Sequence, residues 1–221
     1  MLEHLINLDK KLFLAINHFA SPGFDPIMRF LSGPVPWVLF VAGLLFMIWP
    51  KPWKLNRNGF LIMLAGILLA YLISEQSSVH LFKNVFMRLR PCHEPSLANQ
   101  VRLAANHCGG QFGFVSTHAT NSFTLAMISA LLIHRKWFTL TVFAWAIVVS
   151  YSRIYLGVHY PGDVLCGATL GCLIGYGMFL GTRQMIKKQK TKNKTQNPKP
   201  TLPNNWHIST LAHWHIILLA H

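Results

Sequence analysis

Long apolar segments, separated by short polar loops, dominate the chain as far as Leu180. Five of these segments stand out, and they run roughly over Val35–Trp49, Gly59–Ser74, Ala119–Ile133, Trp137–Leu156 and Val164–Leu180. A helix needs about 20 apolar residues to cross the hydrocarbon core of a bilayer, and flanking residues can extend the shorter segments. Five such segments in one chain predict an all-α, integral membrane helical bundle with about five transmembrane helices, rather than a soluble core.

The two ends of the chain follow other patterns. Apolar residues recur near helical spacing in Leu2–Phe19, with polar residues between them, which predicts an N-terminal amphipathic helix in the membrane interface. The stretch that begins at Arg183 is rich in Lys, Asn, Thr, Gln and Pro, a composition typical of disorder. We therefore expect a membrane domain over 1–182 and a basic, disordered C-terminal tail over 183–221.

The charge distribution indicates an orientation in the membrane. The net charge is +14, with 20 Lys and Arg against 6 Asp and Glu. Such a balance can indicate nucleic-acid binding, but here basic loops beside membrane spans explain it, so we expect a membrane and no nucleic acid as partner. Basic residues lie between the first and second spans, between the third and fourth, and after the fifth. By the positive-inside rule these ends are cytoplasmic, in a multi-pass protein of the cell inner membrane.

Several cations lie on the other side, against this rule. They are Lys83, Arg88, Arg90, Arg102 and Arg153. An anionic substrate at a site that faces the periplasm or exterior would explain them. If the second span continues as a helix, Lys83 and Arg90 share one face two turns apart, and Pro91 ends the helix. The alternative is that these basic residues are interfacial anchors.

A second polar group comes directly before the third span. Ser116 is placed as the N-cap of that helix, and Thr117 and His118 follow it. The free N–H groups at a helix start, together with the helix dipole, favour an anion there. The alternative is that Ser116 only caps the helix and His118 is incidental.

A third group spans the loop between the fourth and fifth spans. Arg153 offers a planar fork of donors that matches phosphate oxygens. Asp163 follows His159 by four residues, and it can accept from one imidazole nitrogen while the other acts as a nucleophile. The alternative is that His159 is an interfacial anchor and Asp163 caps the fifth span.

Together the three groups suit phosphoryl transfer without a metal. Cations would neutralise the phosphate, helix-terminal amides would stabilise charge on its oxygens, and one His would attack while another protonates the leaving oxygen. The sequence has no carboxylate cluster for magnesium and no Cys–His set for zinc. We therefore expect no metal and no cofactor.

The three groups resemble the motifs of the type 2 phosphatidic acid phosphatase family, which read K-x6-R-P, P-S-G-H and S-R-x5-H-x3-D in that order. The first and third match in full, at Lys83–Pro91 and Ser152–Asp163. The second lies at Val115–His118, where Val115 and Thr117 replace the Pro and Gly of the family. The family fold is a helical membrane bundle with the three motifs at one end.

The resemblance implies a role for each matching residue. His159 is similar to the nucleophile that forms a phosphohistidine, Asp163 to its orienting partner, and His118 to the acid that protonates the leaving group. The implied phosphate ligands are Lys83, Arg90, Ser116, Thr117 and Arg153. Family substrates include undecaprenyl pyrophosphate, phosphatidylglycerol phosphate, phosphatidic acid and lipid A phosphates. We expect a lipid phosphate substrate, with undecaprenyl pyrophosphate as the first guess, and no obligate protein partner.

Other functions are compatible with parts of this pattern. A phosphotransferase between lipids would use the same phosphohistidine. Vanadium-dependent haloperoxidases share the three motifs, but they are soluble, which the five apolar segments argue against. A membrane scaffold without activity would leave the outward cations unexplained.

The cysteines suggest one further feature. Cys92 and Cys108 both lie in the outward loop between the second and third spans, in an oxidising compartment where a disulfide persists. A bridge would tie the first motif close to the second, and two free thiols are the alternative. Cys166 and Cys172 lie within the fifth span, where we expect small packing residues.

Overall fold

The architecture is built from helices joined by loops, and it has no named strand among the described residues, which are 1–48, 57–105 and 107–196 of a computed structural model. The main helices are α1 (Leu2–His18), α2 (Asp25–Ser32), α3 (Pro34–Ile48), α4 (Arg57–Gln76), α5 (Asn84–Phe86), α6 (Thr117–Ile133), α7 (Lys136–Tyr155) and α8 (Pro161–Gln196). A π-helix, Ser77–Lys83, joins α4 to α5, and two short 3-10 turns follow at Pro91–His93 and Pro95–Leu97. The predicted all-α membrane bundle is confirmed.

The five predicted spans all appear as helices, but they do not all have the length and composition of a membrane span. Within the described ranges three stretches do: Arg57–Phe86, Lys136–Tyr155 and Pro161–Asn193. The bent pair Asp25–Ser32 and Pro34–Phe46, inclined by 52°, would be a fourth. The third predicted span became α6, whose 17 residues include 11 buried ones and many Ser, Thr and Asn. This helix is the centre of the bundle and packs closely on α4 and α7.

Helix α8 lies against α6 along a stripe of glycines. An ideal Cβ on Gly167 would lie 2.8 Å from the backbone oxygen of Ser116, the N-cap residue of α6, and one on Gly175 would lie 2.7 Å from a backbone oxygen within α6. One on Gly171 would lie 3.0 Å from the backbone nitrogen of Thr124. The hydroxyl of Thr124 donates to the carbonyl of Gly171 over 3.1 Å. Small residues four apart let two membrane helices approach this closely.

The C-terminal part of α8 differs from the expected tail. The chain divides into two units, Met1–Ile186 and Lys187–His221, and residues 183–196, expected to be irregular, are helical. Lys and Gln are good helix formers, and extending an existing helix avoids the cost of nucleation. Residues 197–221, where the rest of the tail was expected, lie outside the described residues. The domain division itself stays a prediction.

Helix α1 is amphipathic, as predicted, and its apolar face is docked on the protein. Phe13 is fully buried and meets Tyr160 edge to face, with ring centroids 5.4 Å apart. The buried Asn17 donates to the carbonyls of Arg102 (2.9 Å) and Tyr155 (3.1 Å), and it accepts from the backbone nitrogen of Arg102 (2.8 Å). A buried amide with these bonds satisfied fixes α1 beside the loop that precedes α6 and beside the end of α7.

Candidate active site

The first motif leaves the helix before it reaches Arg90. Met87 has a φ of +46°, which ends the helical hydrogen-bond ladder. The chain then runs extended, and it pairs antiparallel with a later segment: Arg90 N–H donates to Gln111 O (3.1 Å), and Gly113 N–H donates to Arg88 O (2.8 Å). The expectation that Lys83 and Arg90 share a helix face is therefore wrong. They meet because this pairing folds the chain back.

Arg90 is held by the loop segment with which its own backbone pairs. Its Nη1 donates to Cys108 O (2.9 Å) and its Nε to Phe112 O (3.3 Å). Gly109 has a φ of +80°, and a Cβ there would lie 3.2 Å from Nη1 of Arg90, so glycine suits both the backbone and the approach. The structure joins Cys92 to Cys108 in a disulfide with Cα atoms 6.2 Å apart. This bridge closes the loop around Arg90.

The second motif opens α6 as expected, with Ser116 at the N-cap position. The Ser116 hydroxyl does not cap the helix, and it is buried without a hydrogen-bond partner among the described residues. Its backbone N–H donates to Asp163 O over 3.0 Å and so joins the second motif to the third. Thr117, at the position of the family glycine, accepts a hydrogen bond from Ser78 (3.0 Å). An unpaired buried hydroxyl is a candidate ligand for a bound anion.

The third motif places His159 against Asp163. His159 is only 1% exposed, and its Nδ1 lies 3.4 Å from Oδ2 of Asp163, an ion-pair distance longer than a hydrogen bond. The same Oδ2 accepts from Tyr160 N–H (3.0 Å). Burial, and then the charges of Arg90, Arg153 and Lys83, hold the pKa of His159 well below its usual 6.5. The imidazole is therefore neutral near pH 7, as a nucleophile must be.

Two residues that support Asp163 were given no such role by the sequence analysis, which counted Arg88 only among the outward cations. Arg88 donates from Nη1 to Asp163 Oδ1 (2.8 Å) and from Nη2 to Asp9 Oδ2 (2.7 Å), and its guanidinium lies 4.1 Å from the ring centroid of Tyr160. The other Asp9 oxygen accepts from Gly162 N–H at the start of α8 (2.7 Å). Asp9 is one of the polar residues that lie between the apolar ones in Leu2–Phe19, and no local pattern links it to Arg88.

The three motifs converge on one pocket of about 540 Å³. Six predicted site residues line it: Lys83, Arg90, Thr117, His118, Arg153 and His159. Ser116 and Asp163 lie behind this wall, in direct contact with the motif residues. Ser32, at the bend between α2 and α3, was not foreseen: its carbonyl lies 3.2 Å from Nε2 of His118, and its hydroxyl accepts from Arg153. A bound anion would compete with Ser32 for these donors.

An apolar groove of about 740 Å³ opens beside this pocket. It runs between α3 and α4 and is lined almost wholly by aliphatic and aromatic side chains. Trp37, Val38 and Tyr71 line both cavities, so the polar pocket and the groove are continuous.

The described ranges contain one group with the spacing of metal ligands, formed by Cys92, His93 and Cys108, whose ligand atoms lie within 4.8 Å of one another. The two sulfurs are bonded to each other in the structure, so the thiolates that a soft metal requires are absent.

Apolar helices around a cationic, histidine-containing pocket define the class of an integral membrane phosphatase. Residues 59–187 match the model of the PAP2 superfamily. This match covers more than half of the chain, and the chain therefore belongs to that superfamily. The resemblance inferred from the three motifs is confirmed, and with it the assignment of a membrane-bound phosphatase.

Individual relatives carry different names. A lipid A 4′-phosphatase of Porphyromonas gingivalis is 32% identical over 179 residues, which cover 80% of this chain and 74% of that protein. An undecaprenyl-diphosphatase of Sulfolobus acidocaldarius is 28% identical over 179 residues, covering 79% and 78%. Among solved structures, a transmembrane PAP2 type phosphatidylglycerolphosphate phosphatase from Bacillus subtilis aligns with a TM-score of 0.56 at 23% identity, covering 84% of this chain and 87% of that one. This last likeness bears on the fold alone.

Proposed function

We propose that this chain hydrolyses a phosphate or pyrophosphate ester of a membrane lipid through a phosphohistidine on His159, without a metal. One observation carries the proposal. A neutral, buried histidine backed by Asp163 lies in a pocket that combines Lys83, Arg90 and Arg153 and that continues into an apolar groove. Such a pocket offers a dianion three cations, and the groove offers its hydrocarbon chain a place out of water.

The chemistry runs in two steps. Because Nδ1 of His159 faces Asp163, its Nε2 faces the pocket and attacks phosphorus. As the N–P bond forms, the bond from phosphorus to the lipid oxygen breaks, and His118, which is protonated beside the bound phosphate anion, gives that oxygen its proton. A water then attacks the phosphohistidine, His118 takes its proton, and His159 is released with inorganic phosphate. Asp163 stabilises the imidazolium that forms in between.

The transition state is stabilised by groups already in position. Lys83, Arg90 and Arg153 line the pocket, where their charges would stabilise the equatorial oxygens of the transferred phosphoryl group, and the first amides of α6 would add the helix dipole. The unpaired hydroxyl of Ser116 and the unpaired Nε of Arg153 offer two more donors. Cations and N–H donors thus take the part that a metal plays in other phosphatases.

The names of the relatives suggest two lipid classes to test. Undecaprenyl pyrophosphate was the first guess from the sequence, and the second class is a saccharide lipid phosphomonoester of the lipid A type. We further propose that the pocket opens on the periplasmic or outer side of the inner membrane, as the basic loops indicate.

Phosphate release by the purified full-length protein from both lipid classes tests the proposal. We expect turnover in excess chelator, inhibition by vanadate, and a phosphoenzyme that can be trapped by acid quench. His159→Ala should remove the phosphoenzyme and lower kcat by about 10³-fold or more. His118→Ala should be impaired most on esters with poor leaving groups. Full activity of His159→Ala, or activity restored only by magnesium, would refute the mechanism, and transfer to an added lipid acceptor would favour a phosphotransferase.

A further inference from the structure

The active-site pocket contains one acidic side chain among its cations. Glu75 projects from α4 into the pocket that also holds Lys83, Arg90 and Arg153. A carboxylate disfavours the binding of a phosphate dianion, because like charges in a low-dielectric site repel strongly. Its presence in a phosphate pocket therefore requires a function of its own.

Glu75 is held in place by a buried polar chain. Asn121, only 4% exposed, donates from Nδ2 to Glu75 Oε2 over 2.5 Å. The carbonyl oxygen of Asn121 accepts in turn from the fully buried hydroxyl of Ser74 over 2.6 Å. This chain fixes the carboxylate and uses one of its two oxygens.

The second carboxylate oxygen is available to a ligand. Over the described residues, Glu75 makes no ion pair within 4.0 Å, and Oε1 accepts no hydrogen bond. A preorganised anionic acceptor binds an O–H or N–H donor through a short, charge-assisted hydrogen bond. It rejects a group that presents only phosphate oxygens.

The face of α4 shows which part of the substrate meets Glu75. Leu64, Ile67 and Leu68 line the apolar groove, Tyr71 lines both cavities, and Lys83 lies at the phosphate end of the pocket. Residues four apart on a helix lie on one face, so Glu75 falls between the hydrocarbon end and the phosphate end. This is the position of the headgroup that links the phosphate to the lipid.

We propose that Glu75 selects the substrate: it accepts a hydrogen bond from a hydroxyl or amide N–H of the headgroup, so that the preferred substrate is a phosphomonoester on a sugar-like headgroup. In a polyprenyl diphosphate the same position holds a second phosphate, which Glu75 repels. This inference rests on the proposed phosphatase activity at His159, and it makes the diphosphate, the first guess from the sequence, the poorer substrate.

The test compares three lipids with matched chain length. They are an N-acylglucosamine lipid phosphomonoester, an alkyl phosphate without donors, and a polyprenyl diphosphate. Glu75→Gln keeps the shape and the bond to Asn121 but removes the charge, and Gln76→Ala on the exposed neighbouring position is the control. We expect Glu75→Gln to lower kcat/KM for the sugar lipid roughly tenfold to a hundredfold. The same variant should change kcat/KM for the alkyl phosphate by less than about threefold, and it should raise kcat/KM for the diphosphate several-fold.

Equilibrium binding separates this inference from the proposed activity. The same lipids are bound to full-length His159→Ala and to the double variant His159→Ala/Glu75→Gln, neither of which needs to turn over. Loss of affinity for the sugar lipid alone supports the role of Glu75 even if hydrolysis follows another mechanism. An equal fall in affinity for all three lipids would mean that Glu75 only maintains the shape of the pocket, and it would contradict the proposed selection. Unchanged kcat/KM and affinity for all three would overturn the proposal.

Discussion

At the residue scale, the site depends on keeping a buried histidine neutral. Burial and three nearby cations lower the pKa of His159, and both effects work against its protonation. The unfolded chain therefore holds more protons at this residue than the folded protein does. The contribution of neutral His159 to stability is full above its usual pKa of 6.5 and is lost as the pH falls below that value.

A pH profile follows from this environment. In the free enzyme His159 stays neutral well below pH 6.5, so the acid limb of kcat/KM, corrected for the ionisation of the substrate phosphate, should lie below pH 6.5. Bound phosphate is anionic and raises the pKa of the histidine, so the acid limb of kcat should lie at higher pH than that of kcat/KM. Steady-state kinetics from about pH 4.5 to about pH 8 measure both limbs, because this range extends roughly two pH units below the usual histidine pKa. A corrected kcat/KM limb at or above pH 6.5 would contradict the neutral histidine.

The contacts of Asp9 lead to a second prediction at this scale. It accepts from Arg88 and from the first turn of α8 at the same time, and Arg88 in turn holds Asp163. In Asp9→Asn only one oxygen remains to accept, so Arg88 loses one of its two charged partners, and Asp163, which Arg88 holds, gains freedom. We expect kcat to fall about tenfold with little change in KM, because the loss affects the orientation of His159 rather than phosphate binding.

The matched control is Glu3→Gln, an exposed acidic change on the same helix. It should leave kcat and KM within about twofold of the wild type. If Asp9→Asn and Glu3→Gln behave alike, the contact between α1 and Arg88 does not position the catalytic pair.

At the element scale, the close approach of α8 to α6 sets the distance between the second and third motifs. The two motifs open these helices, at Ser116 and Pro161. The glycines of α8 let its backbone reach the carbonyls of α6, and a side chain there would push the helices apart. The motif residues would separate with them.

Two glycine substitutions on α8 test this packing. A Cβ on Gly171 would meet the backbone of α6, whereas one on Gly177 would meet nothing within 4 Å. Gly171→Ala should lower the free energy of unfolding by about 1–3 kcal/mol through overpacking. Gly177→Ala should be neutral or stabilising by up to about 1 kcal/mol, because alanine favours the helix. Thermal unfolding in detergent compares them, and equal stability of the two variants would exclude the close contact.

At the scale of the whole molecule, long-range pairings bring the motifs to one end of the bundle. The Arg88–Arg90 segment pairs with the segment before the second motif, and Ser116 N–H reaches the carbonyl of Asp163. The first pairing joins the first motif to the second across a loop, and the other joins the second motif to the third across two helices. The candidate active site is thus assembled by loops on a helical frame, an arrangement that is common for catalytic residues.

The orientation of this end in the membrane is open to a direct test. A cysteine at the exposed Asn99, in the loop beside the active site, should be labelled in intact cells by a membrane-impermeant maleimide. A cysteine at the exposed Asn193 should be labelled only after the membrane is permeabilised. The control protein without either substitution corrects for Cys166 and Cys172. The reverse pattern would place the pocket in the cytoplasm.

The sequence by itself determined the helices and the chemical inventory of the site. Apolar runs such as Trp137–Leu156 must form helices in a bilayer, since no water satisfies their backbone groups, and the helix α7, Lys136–Tyr155, begins and ends within a residue of that run. His159, Arg153 and His118 were predicted as site residues from their spacing, from their positions at the span ends and from the chemistry of phosphoryl transfer, and the structure places all three in the lining of one pocket.

Only the tertiary structure decided which distant residues meet. The helical spacing of residues predicts only which of them share a helix face. It brought Lys83 and Arg90 together on a helix that in fact ends at Met87, so the two residues are close for a different reason. The contacts of Arg88 with Asp9, and the position of Glu75 in the pocket, join residues from separate helices and loops. Such contacts depend on how the helices pack, and packing is a property of the whole chain rather than of any short segment.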